Sequence, residues 1–191
     1  MKKIQRSSMP FFGAIVICLV MSAASYAQEP REIEANAQVG IVSGIGTHGS
    51  FGGGIGVALT PRIQGYGELS YIPLGGSSST FAAPIGLQTE GSARALNFNV
   101  GGRYDFSRSG SMAPYAGFGL GILHSSSSFS SSFGGTTISG GGSSNDFYFN
   151  VGGGLRYFVN DRWGWRPEFM VFAGSSTYVR LGGGVFYQLG R

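Results

Sequence analysis

The chain has 191 residues, 35 glycines, a formal charge of +4 and only 12% charged residues. A soluble domain covers itself with roughly 25% charged residues, and a single cysteine excludes a disulfide-framed scaffold. The positive charge gives no reason to expect nucleic acid as a partner, because three of the thirteen cations fall within the first six residues.

Those first residues read as an export signal. Lys2, Lys3 and Arg6 precede an apolar stretch from Phe11 to Val20, and small residues follow, ending Ser25-Tyr26-Ala27. Cleavage is expected after Ala27, making 1–27 a signal peptide. The apolar stretch is shorter than the about 20 residues of a membrane-spanning helix. Cys18 follows Ile17, where a lipoprotein signal has a small residue. Residues 28–191 are then one domain. They hold ten arginines against nine acids, with no lysine and no cysteine.

Residues 28–34 read as a polar lead-in. From Ala35 onward the hydrophobic period is two, the strand period. Eight strands are predicted, at about 35–45, 51–60, 63–73, 95–106, 114–124, 146–159, 163–173 and 178–189. Most match the 9–11 residues that carry a tilted strand across a bilayer. The expected fold is all-β: an eight-stranded antiparallel up-and-down transmembrane barrel.

The alternation separates two faces. In the fourth segment Leu96, Phe98, Val100, Tyr104 and Phe106 alternate with Asn97, Asn99, Gly101, Arg103 and Asp105. In the seventh, Trp163, Trp165, Pro167, Phe169 and Val171 alternate with Gly164, Arg166, Glu168, Met170 and Phe172. Pro61-Arg62, Asn160-Asp161-Arg162 and Ser107 to Ala113 are turn-forming. All fall at one end of an up-and-down barrel, and the two long connections, Leu74–Arg94 and Ser125–Asn145, fall at the other.

A soluble barrel would turn its apolar face inward. Here the charged face also carries the glycines, among them Gly119, Gly152, Gly154, Gly182 and Gly184. A narrow eight-stranded lumen needs small residues to admit long charged ones. The apolar face carries two aromatic girdles: Tyr104, Phe106, Tyr157, Trp163, Trp165 and Tyr187 near the short turns, and Phe51, Tyr71, Phe147 and Phe149 near the long connections. The inward charges are Glu68, Arg103, Asp105, Arg156, Arg166, Glu168 and Arg180. They are expected to pair as structural lumen filling, with an Arg156–Glu168–Arg166 cluster and a Glu68–Arg103 pair.

The run Val151-Gly152-Gly153-Gly154-Leu155-Arg156-Tyr157-Phe158-Val159-Asn160-Asp161-Arg162-Trp163-Gly164-Trp165-Arg166-Pro167-Glu168-Phe169, with Leu59-Thr60-Pro61-Arg62 and Tyr66-Gly67-Glu68-Leu69-Ser70-Tyr71, resembles the eight-stranded outer-membrane β-barrel domain family of OmpA-, OmpX- and OmpW-like small porin-type barrels. The resemblance implies integral residence in the outer membrane of a Gram-negative bacterium, contact with outer-membrane lipids and lipopolysaccharide, and assembly by the barrel-insertion machinery. Leu189 stands where such barrels usually end on an aromatic residue.

No catalytic, cofactor or metal constellation is expected. His48 and His124 are the two histidines, and the Gly-rich runs lie within strands rather than before helices. His124-Ser125-Ser126 is like the His-x-Ser pair of outer-membrane lipid A deacylases, but no acid is placed to orient the histidine. The connection 125–145 reads as a flexible, solvated spacer. A surface ligand would bind through 74–94 and 125–145. The leading role is a structural or adhesin-like surface barrel with a filled lumen; a narrow conduit for small or apolar solutes is second, and a lipid A-modifying enzyme third.

Overall fold

A computed structural model describes residues 32–189 apart from 45, 82–86, 107–108 and 134. The expected signal peptide, 1–27, lies outside the described residues. Eight strands run in chain order: β1 Ile33–Ser43, β2 His48–Ala58, β3 Ile63–Phe81, β4 Leu87–Asp105, β5 Met112–Phe133, β6 Thr136–Phe158, β7 Trp163–Gly174 and β8 Thr177–Leu189. Each pairs antiparallel with its neighbours, and β8 returns to β1, closing the barrel.

The register defines the geometry. A row of partners that starts at Ile33 passes Val57, Gly65, Gly102, Phe118, Val151, Val171 and Val179, and returns to β1 at Ser43. One lap therefore climbs ten residues of β1, which for eight strands corresponds to a tilt of about 40°.

Two of the short turns are closed by side chains as well as by backbone hydrogen bonds. Thr60 Oγ1 accepts from the backbone N–H of Ile63 at 3.0 Å, and Asn160 Oδ1 accepts from those of Arg162 at 2.8 Å and Trp163 at 2.9 Å.

The faces follow the predicted parity. Val39, Phe118, Phe147, Val151 and Leu181 point outward and are exposed, whereas Glu68, Asn99, Arg103, Arg166 and Arg180 are buried inside. An exterior of this kind is stable only in lipid. Of the expected girdles, Tyr104, Phe106, Trp163, Trp165, Tyr187, Phe51, Tyr71, Phe147 and Phe149 are exposed on that face, and Tyr157 is half-buried against Trp165, with ring centroids 5.4 Å apart.

The structure differs at the long-connection end. The connection 125–145, expected to be a flexible spacer, is strand over 125–133 and 136–145, and residues 74–81 and 87–94 are strand as well. β3 and β4 stay paired to Phe81↔Leu87, β4 and β5 to Gln88↔Ser132, and β5 and β6 to Phe133↔Thr136. Four strands thus continue as one sheet beyond the level where β7 and β8 turn at Gly174–Thr177 and β1 and β2 at Ser43–His48. Serine tracts have weak strand preference, but each strand here lies on a neighbour that already extends, and ladder hydrogen bonds absorb the backbone polar groups. Side-chain bonds across the rungs add to this, from Ser92 Oγ to Ser128 Oγ at 3.0 Å and from Ser132 Oγ to Thr137 Oγ1 at 2.9 Å. Gly135 turns the tip with φ +82°, a conformation that side chains rarely adopt.

Candidate functional site

The lumen is stratified along its axis. At the upper end Val42, Ile72, Ala95, Leu123, Tyr148, Met170, Phe172 and Tyr178 form a buried apolar plug. Phe172 and Tyr178 stack at 4.5 Å with planes 5° apart, and Tyr148 meets Phe172 edge-on at 5.2 Å. At the short-turn end Ala113, Phe158 and Phe186 make a smaller plug.

Between the plugs lies one ionic network with two centres. In the upper centre Arg180 reaches Glu68 Oε1 at 2.6 Å through Nη1 and Glu168 Oε1 at 2.7 Å through Nη2. Arg103 lies 3.8 Å from Glu68 and 3.9 Å from Glu168, and its guanidinium sits 4.1 Å from the Tyr66 ring centroid. The Tyr115 hydroxyl donates to Glu168 Oε2 at 2.6 Å. In the lower centre Glu34 accepts from Arg166 Nη1 at 2.9 Å and from Arg156, whose Nη1 donates to Asp105 Oδ2 at 2.7 Å. Arg166 Nε lies 3.8 Å from Glu168 Oε2 and links the two centres.

The seven sequence-selected charges all lie in this network. Of the expected Arg156–Glu168–Arg166 cluster, Arg166 does lie by Glu168, as Arg103 does by Glu68, each at 3.8 Å, whereas Arg156 stands apart. Arg156 turns toward the short-turn end, against Glu34 and Asp105, because Phe186 and Phe158 cradle its guanidinium at 4.9 and 5.1 Å. Glu34 was missed because it closes the mostly polar segment 28–34, in which Ile33 is the only large apolar residue. Two signals point to it. It shares the even parity of Asn36 and Gln38, and the seven selected charges hold four arginines against three acids. Glu34, 1% exposed, makes the count four to four.

The lumen glycines give these groups their space. A methyl at Gly119 would lie 2.6 Å from the Val100 carbonyl oxygen and 2.9 Å from both Asn99 Oδ1 and the Tyr66 hydroxyl. That hydroxyl accepts from Asn99 Nδ2 at 3.2 Å and donates to Asn150 Oδ1 at 3.3 Å. Most of these groups are partnered, leaving few sites for a travelling ion, although buried Asp105 Oδ1 and Arg156 Nε make no hydrogen bond.

On the exterior, His124 Nδ1 bonds Asn145 Oδ1 at 2.7 Å, a cross-strand pair on the outward face. The orienting partner of the histidine is thus a neutral amide. Ser126 sits on the same face, opposite Arg94 on β4 and Ser143 on β6. Among the described residues no group of three or more His, Cys, Asp and Glu side chains is arranged to hold a metal.

A family model described as "Outer membrane protein beta-barrel domain" matches residues 12–186. No curated protein matches the sequence. Among solved structures, Neisserial surface protein A is similar at a TM-score of 0.56 and 15% identity, covering 84% of this chain and 98% of its own. The N-terminal β-barrel domain of Pseudomonas aeruginosa OprF is similar at 0.54 and 17% identity, covering 83% and 97%. Ail, the attachment invasion locus protein of Yersinia pestis, solved with the heparin analogue sucrose octasulfate, is similar at 0.55 and 12% identity, covering 84% and 100%. At these identities the likeness is one of fold.

Proposed function

Because the chain belongs to the outer membrane protein beta-barrel domain family, we propose that it is an integral outer-membrane scaffold with a side-chain-filled lumen that displays a four-stranded sheet for surface interaction. It reaches the membrane by signal-peptide export, with cleavage after Ala27, and by the barrel-insertion machinery. It carries out no chemistry of its own. The observation that carries this reading is the asymmetry of the strands: β3 to β6 continue well past the level at which the other four turn. Long strands on a rigid barrel hold a binding surface at a set distance from the bilayer. Ail, named for attachment and invasion, has the same fold and was solved with a heparin analogue. That supports surface attachment as a role this fold serves.

The test removes the display and keeps the barrel. Residues 126–144 are deleted and adherence of expressing cells to heparin-coated plates is compared with the intact chain. Adherence is expected to fall to the level of cells lacking the protein, while the boiled and unboiled forms still differ in gel mobility. Unchanged adherence would contradict the display role. The conduit reading has against it the buried ionic network and the two buried apolar clusters that pack against it, one at each end.

A further inference from the structure

The outward face of β4, β5 and β6 changes chemistry in steps as it leaves the lipid. Phe98, Ile122 and Phe147 form one apolar row across the three strands. The next row outward is Leu96, His124 and Asn145, and the one above it is Arg94, Ser126 and Ser143. Further out the face becomes a groove of about 700 Å³ whose outward lining includes Ser78, Glu90, Ser92, Ser128, Ser130 and Ser139.

Depth follows from the register. At a tilt of about 40° each residue rises roughly 2.5 Å along the barrel axis, and each step to the next strand along a row adds roughly 3 Å. Rows climb from β2 toward β6. Arg94, His124 and Asn145 therefore lie about 10 Å above the ring of Phe51 and Phe149, just past the apolar band. An arginine and a histidine here are placed for phosphate. Arg94 is exposed, His124 is half-buried, and Asn145 holds one ring nitrogen at 2.7 Å, which leaves Nε2 for a ligand. The outward positions of these two rows hold no carboxylate. Glu90, two rows above Arg94 on the same face, is the nearest acid on that face of β4 and discourages a phosphate from the upper groove while accepting from hydroxyls.

We infer that this face is a binding track for one phosphorylated glycolipid of the outer leaflet. Its acyl chains lie on the Phe98–Ile122–Phe147 row, its phosphate between Arg94 and His124, and its sugars along the serine groove. The track rests on the outer-membrane reading above and adds a particular lipid partner to it.

The test uses the full chain, expressed with its own N-terminal segment, purified from membranes, delipidated and placed in phosphatidylcholine nanodiscs. Three probes are titrated: bis-phosphorylated lipid A, the same lipid dephosphorylated, and lipid A carrying inner-core sugars. The phosphorylated lipid is expected to bind about tenfold more tightly than the dephosphorylated one. The double variant Arg94→Gln, His124→Gln is expected to lose that preference, and Arg62→Gln, at the opposite end of the barrel, to keep it. The double variant Ser92→Ala, Ser128→Ala is expected to lose only the added affinity of the sugar-bearing probe. Equal binding of phosphorylated and dephosphorylated lipid by the intact chain would overturn the track. So would a preference that survives in the Arg94/His124 variant, or one lost equally in Arg62→Gln. A gel-mobility shift on boiling, recorded for every variant, keeps this outcome separate from a failure of the barrel reading itself.

Discussion

The lumen and the projecting sheet are both polar, yet they are built on opposite terms. In the lumen four arginines and four acids are packed among glycines, and every guanidinium meets a carboxylate or an aromatic ring. In the sheet the polar groups are mostly serine and threonine hydroxyls that bond their neighbours across rungs, at exposed or half-buried positions. The first region is expensive to change because its charges have no water to fall back on. The second is cheap to change, because solvent replaces any hydroxyl that is removed. Closure belongs to the first and contact with the surroundings to the second.

The sharpest break in that comparison comes at Glu34. Glu34→Ala leaves Arg156 and Arg166 short of a carboxylate in a buried site, and is expected to cost about 3–5 kcal/mol. Urea unfolding of the barrel in lipid vesicles measures it. Removing Arg166 as well should recover part of the loss, since a paired vacancy is milder than an orphaned charge. A loss under about 1 kcal/mol in Glu34→Ala would mean that the network is hydrated.

Next comes the upper plug. Phe172→Ala removes a fully buried ring stacked on Tyr178 and touching Tyr148. A cost of about 3 kcal/mol is expected by the same unfolding assay. Gly119→Val follows, at about 1–3 kcal/mol, because its side chain would collide with the Val100 carbonyl and the Tyr66–Asn99 pair. At the other extreme, Ser128→Ala in the projecting sheet should change stability by less than about 0.5 kcal/mol, although it removes a 3.0 Å side-chain hydrogen bond. If Ser128→Ala and Glu34→Ala had similar effects, the distinction between the two regions would collapse.

The same distinction explains how much was legible beforehand. Strand number, order and faces follow from period-two alternation, which is strong where one side meets lipid and the other meets charges. The Asn160 and Thr60 turns are legible because their side chains close them locally. The projecting sheet was not, because serine and glycine carry no alternation; its ladder comes from neighbouring strands rather than from its own residues. Glu34 was hidden in the mostly polar segment that it closes, although the missing acid was implied by charge balance. The His124–Asn145 pair depends on a register set by the turn at Gly135, ten residues away along β6. Pairing inside the lumen was only partly legible, since a parity rule says which side chains point inward and not which partner each one reaches. Arg156 shows this: aromatic rings at the short-turn end, rather than sequence spacing, decide its direction.

The central claim is that ions and plugs fill the lumen. Single-channel recording in planar bilayers tests it most directly. The intact chain is expected to show no steady unitary current. A steady conductance that disappears in Glu168→Ala would contradict the account, because it would make the ionic network a pathway instead of a filling.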